Sequence, residues 1–84
     1  MVTANKKKVT IYKLKDPFEY ANEMVEQLEI RRVKAGDMRE FGNNPGVSEM
    51  LDMLATCAGM NPRMVDELSV KDMNGAIEVL NSFL

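Results

Sequence analysis

Met24-Val25-Glu26-Gln27-Leu28-Glu29-Ile30-Arg31-Arg32-Val33 is the stretch on which the fold class turns. Leu28 and Ile30 fall on one side of an extended chain, and Gln27, Glu29 and Arg31 on the other. That two-residue alternation belongs to a half-buried strand. The rival is a helix from Phe18 to Arg32, because Glu, Met, Gln and Leu favour helix and Pro17 suits a first helical position. Val25, Leu28 and Arg32 also have some helical spacing. The alternation, with Val33 close behind it, favours the strand.

Upstream, Val9, Thr10, Ile11 and Tyr12 are strand formers, and Lys15-Asp16-Pro17 is read as the end of that run. Phe18-Glu19-Tyr20 alternates again. Ala21-Asn22-Glu23 is the expected turn, since Asn tolerates the left-handed region. Met1 to Lys8 has little to bury and contains three consecutive lysines, Lys6 to Lys8. Residues 1–8 are therefore expected to be a flexible tail and residues 9–84 a single domain.

Downstream, Lys34-Ala35-Gly36-Asp37 is read as a turn, with Asp37 capping a brief helix from Met38 to Phe41. Gly42-Asn43-Asn44-Pro45-Gly46 is a breaker cluster. Val47, Met50, Leu51, Leu54, Ala55 and Ala58 then form one apolar stripe at helical spacing, which Gly59 ends. Asn61 caps a new start with Pro62 in its first position, and Met64, Val65 and Leu68 form the inner face of that helix. Ser69 and Asp72 make a capping-box-like pair. The last helix presents Met73, Ala76, Ile77, Leu80 and Phe83 or Leu84. The expected fold is α+β: an N-terminal antiparallel β-hairpin or small sheet, then a C-terminal cluster of three to four short helices.

The 84 residues suffice for one modest core, and 45% are apolar, as in globular chains. Aromatics reach only 6%, whereas Met has 8 copies, so aliphatic and thioether side chains must build much of the interior. Residues 1–40 carry 9 basic and 7 acidic side chains (net +2), and residues 41–84 carry 2 and 6 (net −4). An acidic helical half argues against nucleic acid as its partner. The single cysteine, Cys57, excludes an internal disulfide or a multi-cysteine metal site and fits a reducing cytoplasm. No signal-peptide core and no run of membrane-spanning length is present.

Catalytic chemistry is thinly supplied. There is no His, and Gly36, Gly42 and Gly46 form no phosphate-binding fingerprint. The acidic pairs Glu49 and Asp52, and Asp66 and Glu67, have the spacing of ordinary exposed helix faces. Cys57 has no His to activate it and reads as a small, partly buried side chain. Neither a cofactor nor a metal is expected. Ala55, Gly59 and Val65 match helix-turn-helix spacing, but the would-be recognition helix, Pro62 to Leu68, holds one Arg against two acids that phosphate would repel.

The methionines of the helical half are Met50, Met53, Met60, Met64 and Met73. Flexible thioethers suit a groove that accepts an apolar helix. Met50 and Met73 lie on inner stripes and read first as core fillers, whereas Met53 lies off its helix's stripe and is the leading candidate for an exposed contact. Met53, Met60, Met64, Met50 and Phe83 are the candidate partner-binding residues.

Leu28-Glu29-Ile30-Arg31-Arg32-Val33-Lys34-Ala35-Gly36-Asp37-Met38 resembles the L-x-L-R-x-P/V-x-x-G-D-L/M signature of small tail assembly chaperones of contractile-tailed phages, the tail protein E-like and Mu-like kind. The family pattern continues through a Leu-rich helix (Leu51-Asp52-Met53-Leu54), a short helix (Asn61 to Leu68), and a last helix with an early acid (Asp72) ending in Phe83-Leu84. The resemblance runs from about Pro17 to the end, and Val33 stands where the family often has Pro. It marks Arg31, Gly36, Asp37 and Asp72 as structural motif positions. It implies a non-enzymatic protein that binds the tape measure protein, keeps it soluble in the host cytoplasm, self-associates, and is absent from the virion. A DNA-binding regulator and a structural subunit of the particle are the alternatives.

Overall fold

The computed structural model describes residues 9–42 and 46–84. The expected tail (residues 1–8) and most of the breaker cluster (residues 43–45) lie outside them. The fold is α+β, with an antiparallel hairpin of β1 (Val9–Tyr20) and β2 (Glu23–Arg31) followed by helices. The helices are α1 (Ala35–Phe41), α2 (Val47–Ala58), α3 (Pro62–Val65) and α4 (Val70–Ser82). The Phe18–Arg32 helix does not form.

The hairpin turn is only two residues long. Ala21 and Asn22 both sit at positive φ, 54° and 67°, matching the right-handed twist of the flanking strands. Glu23, expected in the turn, already pairs with Tyr20. The first strand does not end at Lys15-Asp16-Pro17. Lys13 pairs with Gln27 and Phe18 with Val25, so Leu14, Lys15, Asp16 and Pro17 all stand opposite Glu26 in a wide bulge. Pro17 fits there because the bulge asks it for no ladder N–H.

Two further expectations change. The first helix begins at Ala35, with Lys34 as its extended N-cap, so Asp37 is the third helical residue and not the cap. Gly36 therefore sits inside the helix. A Cβ on it would meet nothing, its φ is not positive, and nothing in the structure explains glycine there. The short helix after Asn61 closes at Val65, a single turn.

The core lies between the sheet and the helices. Leu14, Leu28 and Ile30 come from the hairpin, Met50, Met53, Leu54, Ala55 and Cys57 from α2, Val65 from α3, and Ala76 and Leu80 from α4. Helix α2 packs under β2, and α4 packs under β1 and against α2. The buried face of α2 is turned from the expected stripe. Val47 is 62% exposed, while Met53 has no exposed surface. Both sets, 47/50/51/54/58 and 50/53/54/57, have helical spacing; packing against β2, α3 and α4 selects the second. Met53 is thus a core residue and not an exposed contact.

Leu54→Ala should cost about 2–5 kcal/mol, a large share of the ~5–15 kcal/mol stability of a small domain. A urea midpoint shift equivalent to less than about 1 kcal/mol would contradict the packing. Met53→Lys should be more damaging still, because it places an unpaired ammonium in the core. Loss of the cooperative urea transition is the expected readout.

Candidate partner-binding surface

Two polar clusters fix the helices to the hairpin. The first centres on Asp72, which has no exposed surface. Its Oδ1 accepts from the Tyr12 hydroxyl (3.1 Å) and the Lys15 N–H (2.9 Å), and its Oδ2 from the Asp16 N–H (2.9 Å) and the Ser69 hydroxyl (3.3 Å). Ser69 Oγ in turn accepts the Asp72 N–H at 3.1 Å, closing the N-terminus of α4. Burial pushes the carboxyl pKa up, but the Lys15 and Asp16 N–H groups, Tyr12 and Ser69 outweigh it and hold the group below the ordinary aspartate value. The Tyr12 phenol moves up, through burial first and its bond to Asp72 second. Gly75 makes the cluster possible, since a Cβ there would overlap the Tyr12 hydroxyl and ring.

The second cluster ties β2 to α1. Arg31 grips Asp37 with both terminal guanidinium nitrogens, at 2.9 and 3.2 Å, and also donates to the Arg32 carbonyl at 2.8 Å. The Lys34 N–H donates to Asp37 Oδ2 at 2.8 Å. The Arg31 bond, opposed by burial and aided by the Lys34 N–H, lowers the Asp37 pKa; the same bond raises that of Arg31. Cys57 is buried, and burial pushes its thiol up, away from reactivity. Both buried carboxylates are thus taken up by internal donors. No group of three metal-binding side chains occurs among the described residues, nor is any helix there long and apolar enough to cross a membrane.

The methionine candidates separate. Met50 and Met53 are core, while Met60, Met64 and Phe83 are half-buried. Met60 lines a groove. It joins Phe41, Ala55, Thr56 and Pro62 in a hollow of about 260 Å³ between α1, α2 and α3, with Glu40 and Asp52 on the same lining. Gly59, at φ 66°, ends α2. The Met60 N–H then bonds the Ala55 carbonyl at 2.8 Å and the Gly59 N–H that of Thr56 at 3.3 Å. This is a Schellman closure, which sets the residue after the glycine against the last turn of its helix. A second, larger groove of about 550 Å³ runs between β1 and α4, over Tyr12, Gly75 and Val79, with Lys15, Lys71 and Glu78 along it. Sequence reasoning missed Phe41, Tyr12 and Gly75. The mid-helix glycine was the available signal, because glycine there costs helix stability unless something packs on it.

Asp72 binds its proton more weakly folded than unfolded. Its contribution is therefore present above the ordinary aspartate range and is lost as pH falls through the depressed folded value. Asp72→Asn turns an NH₂ toward donors that need an acceptor, costing about 1–3 kcal/mol for each donor left unpaired. The variant should be less stable at pH 7 and lose part of the acid limb in urea midpoints measured against pH. Gly75→Ala, which favours most helices, should here lower the midpoint; a rise would show that Tyr12 does not need the space.

No curated protein and no solved structure matches the chain. A family model described as "Phage tail assembly chaperone proteins, E, or 41 or 14" matches residues 11–84. That span takes in nearly all of β1, the bulge, both polar clusters and every helix, and the chain belongs to the phage tail assembly chaperone family.

Proposed function

We propose that the protein binds the tape measure protein of its phage or prophage and keeps that long apolar helix soluble in the host cytoplasm until the tail tube forms around it. It acts by binding alone, associates weakly with itself, and stays out of the finished particle. The family match over residues 11–84 carries this reading. The chemistry of the chain is in keeping with it: no His is present, and the helical half has a net charge of −4 that keeps a coated complex apart by repulsion. The DNA-binding alternative is disfavoured by α3, whose four residues are too short for a recognition helix.

Co-expression with the tape measure protein of the same tail gene cluster tests the reading. Wild type should move the tape measure protein into the soluble fraction and co-purify with it. Raising salt should weaken the complex only modestly, because apolar contact supplies most of the affinity. If no complex forms at any salt concentration, the reading fails. Peptides of this chain found by mass spectrometry at stoichiometric level in purified virions would favour a structural subunit instead.

A further inference from the structure

We infer that the groove between α1, α2 and α3 is the anchor site for one large apolar side chain on a partner helix that carries Lys or Arg beside that side chain. The inference rests on the tape measure reading above and names the part of this chain that would do the binding. The lining has an apolar centre of Phe41, Ala55, Met60 and Pro62, and two exposed acids, Glu40 and Asp52. Among the described residues no Lys or Arg lines it. Its volume, about 260 Å³, lies below the range of small-ligand sites and suits a protruding side chain.

The hollow is held by backbone geometry. Met60 is fixed by the Schellman closure at Gly59, and Ala55 is a buried residue of α2. The Thr56 hydroxyl already donates to the Asp52 carbonyl at 3.1 Å. An apolar group can therefore enter without stripping that hydroxyl of its partner. The unbranched thioether of Met60 adjusts to different occupants, which suits a binder that must hold many stretches of one long chain.

Charge selects the flanks of the occupant. Two acids beside an apolar centre attract a cation on either side of the anchor and repel an acidic neighbour. The β1–α4 groove makes no such choice, since Lys15 and Lys71 share it with Glu78. The acid-flanked hollow also brings a methionine singled out by the sequence together with an aromatic side chain and accessible space.

The test uses the full chain carrying Glu40→Lys and Asp52→Lys together. The control is Glu19→Lys with Glu23→Lys, an equal charge change at the exposed hairpin tip. All four positions are exposed, so urea midpoints should stay near wild type. The probes are the co-expressed tape measure protein and two synthetic amphipathic helices, identical except that a central Leu is flanked by Lys in one and by Glu in the other. Wild type and control should prefer the Lys peptide by about tenfold at low salt. The groove variant should lose that preference and leave the tape measure protein insoluble. If the groove variant binds the Lys peptide and solubilises the tape measure protein as well as wild type does, the groove is not the site and the chaperone reading stands. If wild type itself never solubilises the tape measure protein, both fall. If the groove variant abolishes self-association yet solubilises normally, the occupant is a second copy and the inference is overturned.

Discussion

A carboxylate with no access to water requires donors, and a strand that bulges has N–H groups to spare. Asp72 and the Leu14–Pro17 bulge meet both needs at once. Only Glu26 stands opposite the bulge, so the Lys15 and Asp16 N–H groups have no ladder partner and turn to the two oxygens of Asp72. Left alone, the Asp72 carboxylate would be a costly buried charge. Together they fix which residues of β1 meet which turn of α4. Apolar packing alone tolerates slippage along a surface, whereas two N–H groups aimed at two oxygens do not. Gly75, one turn further along, lets the Tyr12 ring come close enough to complete the set.

With α4 registered on β1, the other strand needs its own fastening, and Arg31–Asp37 supplies it at the far end of β2. The guanidinium fork reaches over the Arg32–Lys34 link and holds the first turn of α1. One turn later the same helix presents Glu40 and Phe41. The opposite side of the hollow comes from α2 through Asp52, Ala55 and Thr56, and its end from Met60 and Pro62. Each wall is positioned by a local hydrogen-bonding device: a fork, a glycine closure, or a capped first turn. A site built this way keeps its shape in a small protein whose core includes the adaptable thioethers of Met50 and Met53.

Features decided by neighbours in the chain were legible in the sequence. Gly59, Asn61-Pro62 and Ser69 mark helix ends through chemistry that acts within a few residues, and Leu28-Glu29-Ile30 announces its strand by alternation alone. Features decided by distant partners were not. Lys15-Asp16-Pro17 has every local property of a strand end, yet the strand continues, because the acceptor for its N–H groups lies 56 and 57 residues away. Helix α2 is apolar around too much of its circumference for periodicity to choose a face, and the choice fell on Met53 rather than Val47. Asp37 looked like a cap because a cap and an acid at the third helical position use the same carboxylate on neighbouring N–H groups. Of the candidate site, Met60 could be named from the sequence, whereas Phe41 and the two acids join it only through tertiary packing.

The burial of Met50 and Met53 changes what kind of binder the chain can be. A broad methionine face would hold an apolar helix through a large area, and apolar burial contributes roughly 25 cal/mol per Å². A hollow of about 260 Å³ with one half-buried thioether offers far less. Under the proposed function, contact at such a site would be weak for each copy, and strength would come from many copies arrayed along one long partner, each raising the local concentration of the next. Weak single contacts also suit the release that the proposed function requires. A polymerising tube has to displace the copies one after another, and a small acid-flanked anchor can be vacated without unfolding anything. Asp72 contributes nothing to that surface despite its charge, since it is consumed inside. The acids left to meet a partner are the exposed ones, and Glu40 and Asp52 are the two that the fold sets beside an apolar hollow.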